Sequence, residues 1–179
     1  MRFPCSFRIL AVGFAALLSA GSAWSDTVSR EDRIKAALIF KLVKFVDWSP
    51  QALPSGSPMQ FCVVGTGGVG EALAAADGKP VRDRMLKYRR LEGLGDVRGC
   101  HVLFIPAGRD VAAGIPAQLR QRGSGVLTIS DQTDFARRGG MIGLTQGENK
   151  VGFEINLRIA REAGVEPGAS LLELANVVD

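Results

Sequence analysis

The sequence predicts a single α/β domain with a mixed, mainly parallel sheet of about five to six strands, flanked by helices in a Rossmann-like layering. Three observations lead to this prediction. Short apolar runs alternate with stretches of helical periodicity, which is typical of strand-helix-strand units. Glycine-rich turns separate these segments. Near the C-terminus, two strand-like segments stand so close together that they can only form an antiparallel hairpin.

The first 25 residues have the pattern of an export signal. Arg2 and Arg8 make the start positive, residues 9–20 are apolar or small, and residues 23–25 offer small residues around a cleavable bond. The apolar run is too short for a stable membrane anchor. We therefore expect residues 1–25 to be a signal peptide that is removed; the alternative is a buried N-terminal helix.

Cleavage would leave residues 26–179 as one soluble, exported domain. About 154 residues are enough for a domain with its own core. The full chain has 22 basic and 18 acidic residues, and losing two arginines lowers its net charge from +4 to about +2. Such a small charge gives no reason to expect nucleic acid binding.

The first helix is predicted from Ser29 to about Val46, before residues 48–50 stop it. Ser29 and Asp32 have capping-box spacing. One stripe of this helix is basic: Arg30, Arg33, Lys41 and Lys44. Nearly all other positions are apolar: Ile34, Leu38, Leu42, Phe45 and Val46 on one flank, and Ile39, Phe40 and Val43 on the other. The apolar surface of this helix is wider than one sheet can cover. Either another helix of the chain or another protein must therefore cover the remaining apolar side.

The remaining elements follow from apolar runs and turn residues. After a linker over residues 50–58, strands are predicted over 60–64, 84–91, 101–105 and 126–129, with helices over 69–76 and 107–121. The hairpin strands are predicted over 141–145 and 150–154. Asn156 is placed as the cap of a helix that ends at Gly164, and Ser170 with Glu173 as the capping box of a last helix over 171–178.

Cys62 and Cys100 are expected to form a disulfide, because they are the two cysteines left after export to an oxidising compartment. Cys5 would leave with the signal peptide. In a right-handed α/β arrangement the first and third strands are often parallel neighbours, which would bring Cys62 and Cys100 together. The alternative is two unpaired buried thiols.

A glycine motif, Gly65-Thr66-Gly67-Gly68-Val69-Gly70, lies between a strand and a helix as in dinucleotide-binding sites. About 20 positions on, however, Arg89 and Arg90 stand where an NAD site would have a carboxylate. We interpret the loop as a tight turn or at most an anion-binding helix start. The one histidine, His101, adjoins Cys100 at the start of a core strand, so no catalytic residue, cofactor or metal site is expected.

A dense basic cluster lies on and before the second predicted strand: Arg82, Arg84, Lys87, Arg89 and Arg90. Long charged side chains of this kind commonly protect an edge strand from pairing with another chain. The alternative is a docking surface for an acidic partner.

Several segments, taken in order, resemble the YfiR/HmsC-like family of bacterial periplasmic proteins. In the first half these are RIKAALIF (33–40), KFVDW (44–48) and CHVLFI (100–105). In the second half they are ISD (129–131), Phe135, GGMI (139–142), VGFEINL (151–157) and LL (171–172). Phe153, Glu154 and Asn156 belong to the strongest of these motifs, and we interpret them as a core aromatic, a strand-end charge and a helix cap.

The resemblance implies a regulator and not an enzyme. Members like YfiR inhibit an inner-membrane diguanylate cyclase through its periplasmic sensory part, which lowers cyclic-di-GMP and biofilm formation. An outer-membrane peptidoglycan-associated lipoprotein can sequester them, and they form homodimers. Some have a second disulfide in the C-terminal half, which is impossible here because no cysteine follows Cys100. Candidate contacts with a partner or a second copy are Leu38, Leu42, Phe45 and Trp48. A periplasmic small-molecule sensor, with its ligand near the glycine loop, is the alternative function.

Overall fold

The structure is a computed structural model that describes residues 28–108, 119, 123–147 and 151–179. These residues form one α/β domain. Its helices are α1 (Arg30–Val43), α2 (Gly68–Ala74), α3 (Leu157–Glu162) and α4 (Ala169–Leu172). Its strands are β1 (Val46–Trp48), β2 (Met59–Val64), β3 (Pro80–Val81), β4 (Arg84–Leu91), β5 (Val102–Ile105), β6 (Leu127–Ser130), β7 (Ile142–Gln146), β8 (Val151–Asn156), β9 (Val165–Pro167) and β10 (Asn176–Val178).

The main sheet has eight strands in the order β10-β8-β7-β6-β5-β2-β4-β3. The pairs β7-β8 and β3-β4 are antiparallel and all other pairs are parallel. The mixed, mainly parallel α/β architecture and the C-terminal hairpin are therefore confirmed. The sheet is wider than the sequence predicts because the short strands β3 and β10 extend it at its two ends.

Both faces of the central strands are buried. On β2, Phe61 and Val63 pack on the side of α1, whereas Cys62 and Val64 face the opposite core cluster. Residues 102–105 of β5 alternate in the same way and are all buried. Burial on both faces explains why these strands are continuous apolar runs in the sequence.

Helix α1 begins as its capping box predicts. The Ser29 hydroxyl accepts a hydrogen bond from the Asp32 backbone N–H at 3.0 Å, and the Asp32 carboxylate accepts one from the Ser29 N–H at 3.0 Å. The predicted C-terminal end is wrong: α1 stops at Val43, and residues 46–48 form β1. This strand pairs antiparallel with β9, and the backbone pairing places Val46 opposite Pro167.

The last predicted helix is also wrong over most of its length. Helix α4 covers Ala169–Leu172 with Gly168 as its N-cap, and no side chain caps it. Residues 176–178 form β10, which pairs in parallel with β8 at the sheet edge. The β-branched pair Val177 and Val178 suits a strand, and the sheet edge provides its hydrogen-bond partners.

Two further predictions have different outcomes. The helix expected over residues 107–121 falls almost entirely on residues that the structure does not describe. Asn156 caps α3 as predicted, accepting from the Ile159 N–H at 3.0 Å. Within the described residues, no helix is both long and apolar enough to cross a membrane.

Candidate interaction surface

The glycine loop between β2 and α2 is filled by the chain itself. Gly65 has a positive φ of 71°, and α2 begins at Gly68. The carboxylate of Asp32, from the first turn of α1, lies directly over Gly68, so that a Cβ atom at this position would collide with it. The place where a dinucleotide's phosphates would lie thus holds a carboxylate of this chain. In this structure the loop is a strand-to-helix turn packed against α1.

His101 has a structural position. It is about half-buried, and its Nδ1 accepts a hydrogen bond from the Gln60 backbone N–H at 2.9 Å. Burial lowers the pKa of His101 below its ordinary value of 6.5, and the nearby charge of Arg84 lowers it further, whereas a hydrogen bond with the Ala52 backbone opposes the shift. The neutral ring therefore prevails at neutral pH and joins the start of β5 to β2.

This lowered pKa predicts a loss of stability in mild acid. The unfolded chain binds a proton at His101 more readily than the folded chain, so the stabilisation is present above pH 6.5 and is lost as the pH falls through the lower folded-state value. His101→Asn keeps an acceptor for the Gln60 N–H but cannot titrate. In urea unfolding at neutral and mildly acidic pH, we expect the wild type to lose more stability than the variant. Equal losses would contradict the assignment.

The Cys62–Cys100 disulfide is present and joins β2 to the residues before β5, with 5.8 Å between the two α-carbons. Arg89 of β4 lies beside it. Its Nη2 donates to the Arg98 carbonyl at 2.7 Å and lies 3.2 Å from the Cys100 Sγ. Arg89 thus anchors the loop that carries Cys100.

The basic cluster predicted on β4 is largely neutralised within the protein. Four of its five members have acidic partners: Arg82 with Asp47, Arg84 with Asp83, Arg89 with Asp96, and Arg90 with Glu71. Arg84 also donates to the Pro54 and Ser57 carbonyls. Lys87 is exposed and has no ionic partner among the described residues. Most of this cluster's charge is thus already compensated.

The edge-strand interpretation of this cluster needs correction, because β4 is the second strand from the sheet edge. Its outer side is covered by β3, which pairs with Arg84 and Met85. Farther along β4, the Tyr88 N–H donates to the Asp77 carboxylate at 2.8 Å. The backbone is thus protected there by hydrogen bonds to this chain, and not by charged side chains alone.

The four interface candidates on and after α1 have different environments. Phe45 is 43% exposed, and Leu38 and Trp48 are partly buried. The Trp48 indole N–H donates to the Gly125 carbonyl at 2.9 Å. Leu42 is 3% exposed and belongs to the core, because it faces the sheet. Ile34, which was not among the candidates, is 45% exposed.

The exposed side of α1 and its C-cap carry four basic residues that have no acidic partner among the described residues. We call Arg30, Arg33, Lys41 and Lys44 the basic stripe. Throughout the part of the chain that the structure describes, none of the four forms an ion pair with a carboxylate. Arg33 donates to the Val28 carbonyl at 3.0 Å, and the Lys44 ammonium lies 4.7 Å from the centre of the Phe40 ring.

An apolar groove of about 560 Å³ runs between α1 and α2, beside the basic stripe. We call it the α1–α2 groove. Its floor and walls are mostly alanine with three larger apolar side chains: Val28, Ala36, Ala37, Phe40, Ala72, Leu73, Ala75 and Ala76. Arg33, Glu71 and Lys79 also line it, and Glu71 is paired with Arg90. Among the described residues that line the groove, the charges without an ionic partner are therefore positive.

A second, polar cavity of about 300 Å³ lies where β6 and β7 end. Lys35 of α1 reaches Asp131 at 3.0 Å and Glu31 at 2.8 Å. Burial lowers the pKa of Lys35, but the hydrogen bonds to these two carboxylates outweigh it and the net shift is upward. The other Asp131 oxygen accepts from the Ala107 N–H at 2.7 Å. The glycine loop does not contribute to the described lining of this cavity.

These features place the protein among α/β domains with the surface of a binding module: a sheet covered on both faces, a disulfide, an apolar groove and a stripe of uncompensated cations. Among the described residues, no group of three or more His, Cys, Asp or Glu side chains could hold a metal ion. The chain belongs to the YfiR/HmsC-like family, whose profile matches residues 32–176. This is a family of periplasmic regulatory proteins.

A solved structure has a similar fold. It is described as the ABC domain in complex with L-Trp from Streptococcus pneumonia, and it superposes with a TM-score of 0.53 at 12% sequence identity. The match covers 80% of this chain and spans 60% of the length of that one. At this identity the similarity concerns the fold alone. No curated protein matches the chain.

Proposed function

We propose that this protein is a periplasmic regulator that inhibits an inner-membrane diguanylate cyclase through the cyclase's periplasmic part. Inhibition would lower cyclic-di-GMP and with it biofilm formation. The observation that carries this proposal is membership of the YfiR/HmsC-like family over residues 32–176. The protein would act by binding and without catalysis.

The proposed location rests on two further observations. Residues 1–25 have the pattern of a cleaved export signal, which would leave a domain over 26–179. The Cys62–Cys100 disulfide suits an oxidising compartment, since cytosolic thiols are kept reduced. Both favour the periplasm.

The surface of α1 is the proposed contact site for the cyclase. Ile34 on α1 and Phe45 just after it are exposed apolar residues, and Leu38 and Trp48 are partly accessible. A homodimer and an outer-membrane peptidoglycan-associated lipoprotein as a second partner belong to the same proposal. An exposed apolar residue surrounded by polar ones is a common centre of protein interfaces.

Deleting the gene is expected to raise cellular cyclic-di-GMP several-fold and to increase biofilm. The full chain, supplied from a plasmid, should restore the lower level. The matched control is the same domain without residues 2–25, which would stay in the cytoplasm, on the other side of the membrane from its target, and should fail to restore it. An unchanged cyclic-di-GMP level on deletion would contradict the proposal.

The polar cavity supports a second candidate function, a periplasmic sensor of small molecules. It lies at the carboxyl ends of parallel strands, where α/β proteins commonly bind ligands. Binding would raise the melting temperature of the protein. A panel of small polar metabolites is the test, and the absence of any shift across the panel would count against a sensor.

A further inference from the structure

We propose that the basic stripe and the α1–α2 groove together dock an acidic amphipathic helix of the partner protein. This inference rests on the proposed function and specifies the chemistry of the partner's contact segment. Its acidic face would pair with the basic stripe, and its apolar face would enter the groove.

The first argument for an acidic partner is the charge of this surface. Nine ion pairs are present among the described residues, and they include four of the five cations of the β4 cluster. The four cations of the basic stripe take part in none of them. Helix α1 and its C-cap residue Lys44 thus present a strip of positive charge that pairs with no carboxylate of the described residues. Complementary charge on a partner would speed association and select that partner.

The second argument, for a helical partner segment, is the shape of the groove. Five alanines, Ala36, Ala37, Ala72, Ala75 and Ala76, leave room in the α1–α2 groove. Small side chains permit close approach of another backbone, and a groove between helices is a common site for an amphipathic helix. Addition of a strand is less suited to this region, because hydrogen bonds within the chain already cover the outer side of β4 as far as Tyr88.

A second copy of this chain is a poor occupant. In a two-fold symmetric interface each surface meets itself, so the basic stripe would face another basic stripe. Like charges placed opposite each other oppose association.

A lipid surface is also a poor occupant. A helix lying on a membrane inserts a wide apolar face into it. In α1 that face is used by the core: Ile39, Leu42 and Val43 are at most 3% exposed. Ile34 is the exposed large apolar residue of α1, and the exposed Phe45 lies just after the helix.

The direct test uses a synthetic amphipathic helix of about 18 residues, or five turns, with only Glu on its polar face and Ala and Leu on the other. Its counterpart carries Lys in place of Glu. Fluorescence anisotropy with the disulfide-bonded protein is expected to show binding of the acidic peptide that weakens with salt, and little binding of the basic one. Equal binding of both peptides, or of neither, would overturn the proposal.

Charge reversal locates the site. Lys41→Glu/Lys44→Glu is expected to weaken binding of the acidic peptide at least about tenfold. The matched control, Lys87→Glu/Arg138→Glu, makes the same change in net charge on exposed residues away from α1. Its affinity for the acidic peptide should stay within about twofold of the wild-type value. Ala37→Trp fills the groove without changing charge and should also weaken binding. A control that loses as much affinity as the stripe variant would overturn the assignment. Melting temperatures verify that each variant is folded.

The same variants in cells separate this inference from the proposed function. If deleting the gene raises cyclic-di-GMP and the folded stripe variant fails to lower it again, the result supports both the proposed function and the docking site. If deletion has the effect but the folded stripe variant inhibits normally, the docking site alone is wrong. If deletion has no effect, the proposed function is wrong, and peptide binding decides on the docking site. Binding to phosphatidylglycerol vesicles that depends on the basic stripe, without peptide binding, would overturn the proposal and assign the surface to lipid. Loss of a dimer in the stripe variant would overturn it and assign the surface to a second copy of the chain.

Discussion

Removing the disulfide, in the Cys62→Ala/Cys100→Ala variant, is expected to lower the free energy of unfolding by about 4 kcal/mol. The bond joins residues separated by 38 positions, so it restricts a long loop of the unfolded chain. Without it the unfolded state gains conformational entropy and becomes more favourable. Both cysteines are also buried beside β2 and β5, so the variant loses packing as well.

Urea unfolding of the oxidised wild type, the reduced wild type and the double variant would measure this loss. For a domain of this size, about 4 kcal/mol corresponds to a fall in melting temperature of roughly 8–16 °C. Reductant should destabilise the wild type and leave the variant unchanged, which is the internal control. A loss below about 1 kcal/mol would mean that the bond contributes little to stability.

Replacing Asn156 by Ala is expected to cost about 2–4 kcal/mol of unfolding free energy. Asn156 is 2% exposed and serves two elements at once. Its side-chain oxygen caps α3 by accepting from the Ile159 N–H, and its amide donates to the Ala136 carbonyl at 3.1 Å. The alanine variant loses the cap and leaves the buried Ala136 carbonyl without this donor.

Two control variants separate these contributions. Ser29→Ala removes an exposed cap alone and should cost about 1 kcal/mol. Asn156→Asp keeps an acceptor for the Ile159 N–H but loses the donor to Ala136 and buries a charge, so it should also be destabilising at neutral pH. Thermal and urea unfolding would measure the stability of each variant, and Asn156→Ala should be much less stable than Ser29→Ala. Equal costs would indicate that the contact with Ala136 adds nothing.

Local signals predicted much of the fold. The spacing of Ser29 and Asp32 identified the start of α1, and Asn156 was correctly placed as the cap of α3. The apolar runs located the central strands, and the short connection after β7 required an antiparallel hairpin. Each of these features depends on residues a few positions apart, so the chain displays it without reference to its fold.

The errors concern segments whose structure depends on distant partners. Val46 continues the apolar pattern of α1, yet residues 46–48 form a strand because residues 165–167 pair with them. A helix is predicted over residues 171–178, but residues 176–178 extend the sheet beside β8. Such pairing is decided by which backbone groups meet in space, and short strands have little periodicity of their own.

The interaction surface shows the same division. The amino-acid sequence alone determined the α/β class, the pairing expected for Cys62 and Cys100, the export pattern and the family resemblance, because periodicity, composition and ordered motifs are properties of the chain. Which cations remain available was decided only by the tertiary structure. Among the described residues, folding brings acidic groups to the arginines of β4 and none to the basic stripe, and it covers Leu42 while leaving Phe45 exposed. Charge compensation and burial depend on distances between residues far apart in sequence, and these exist only once the chain has folded.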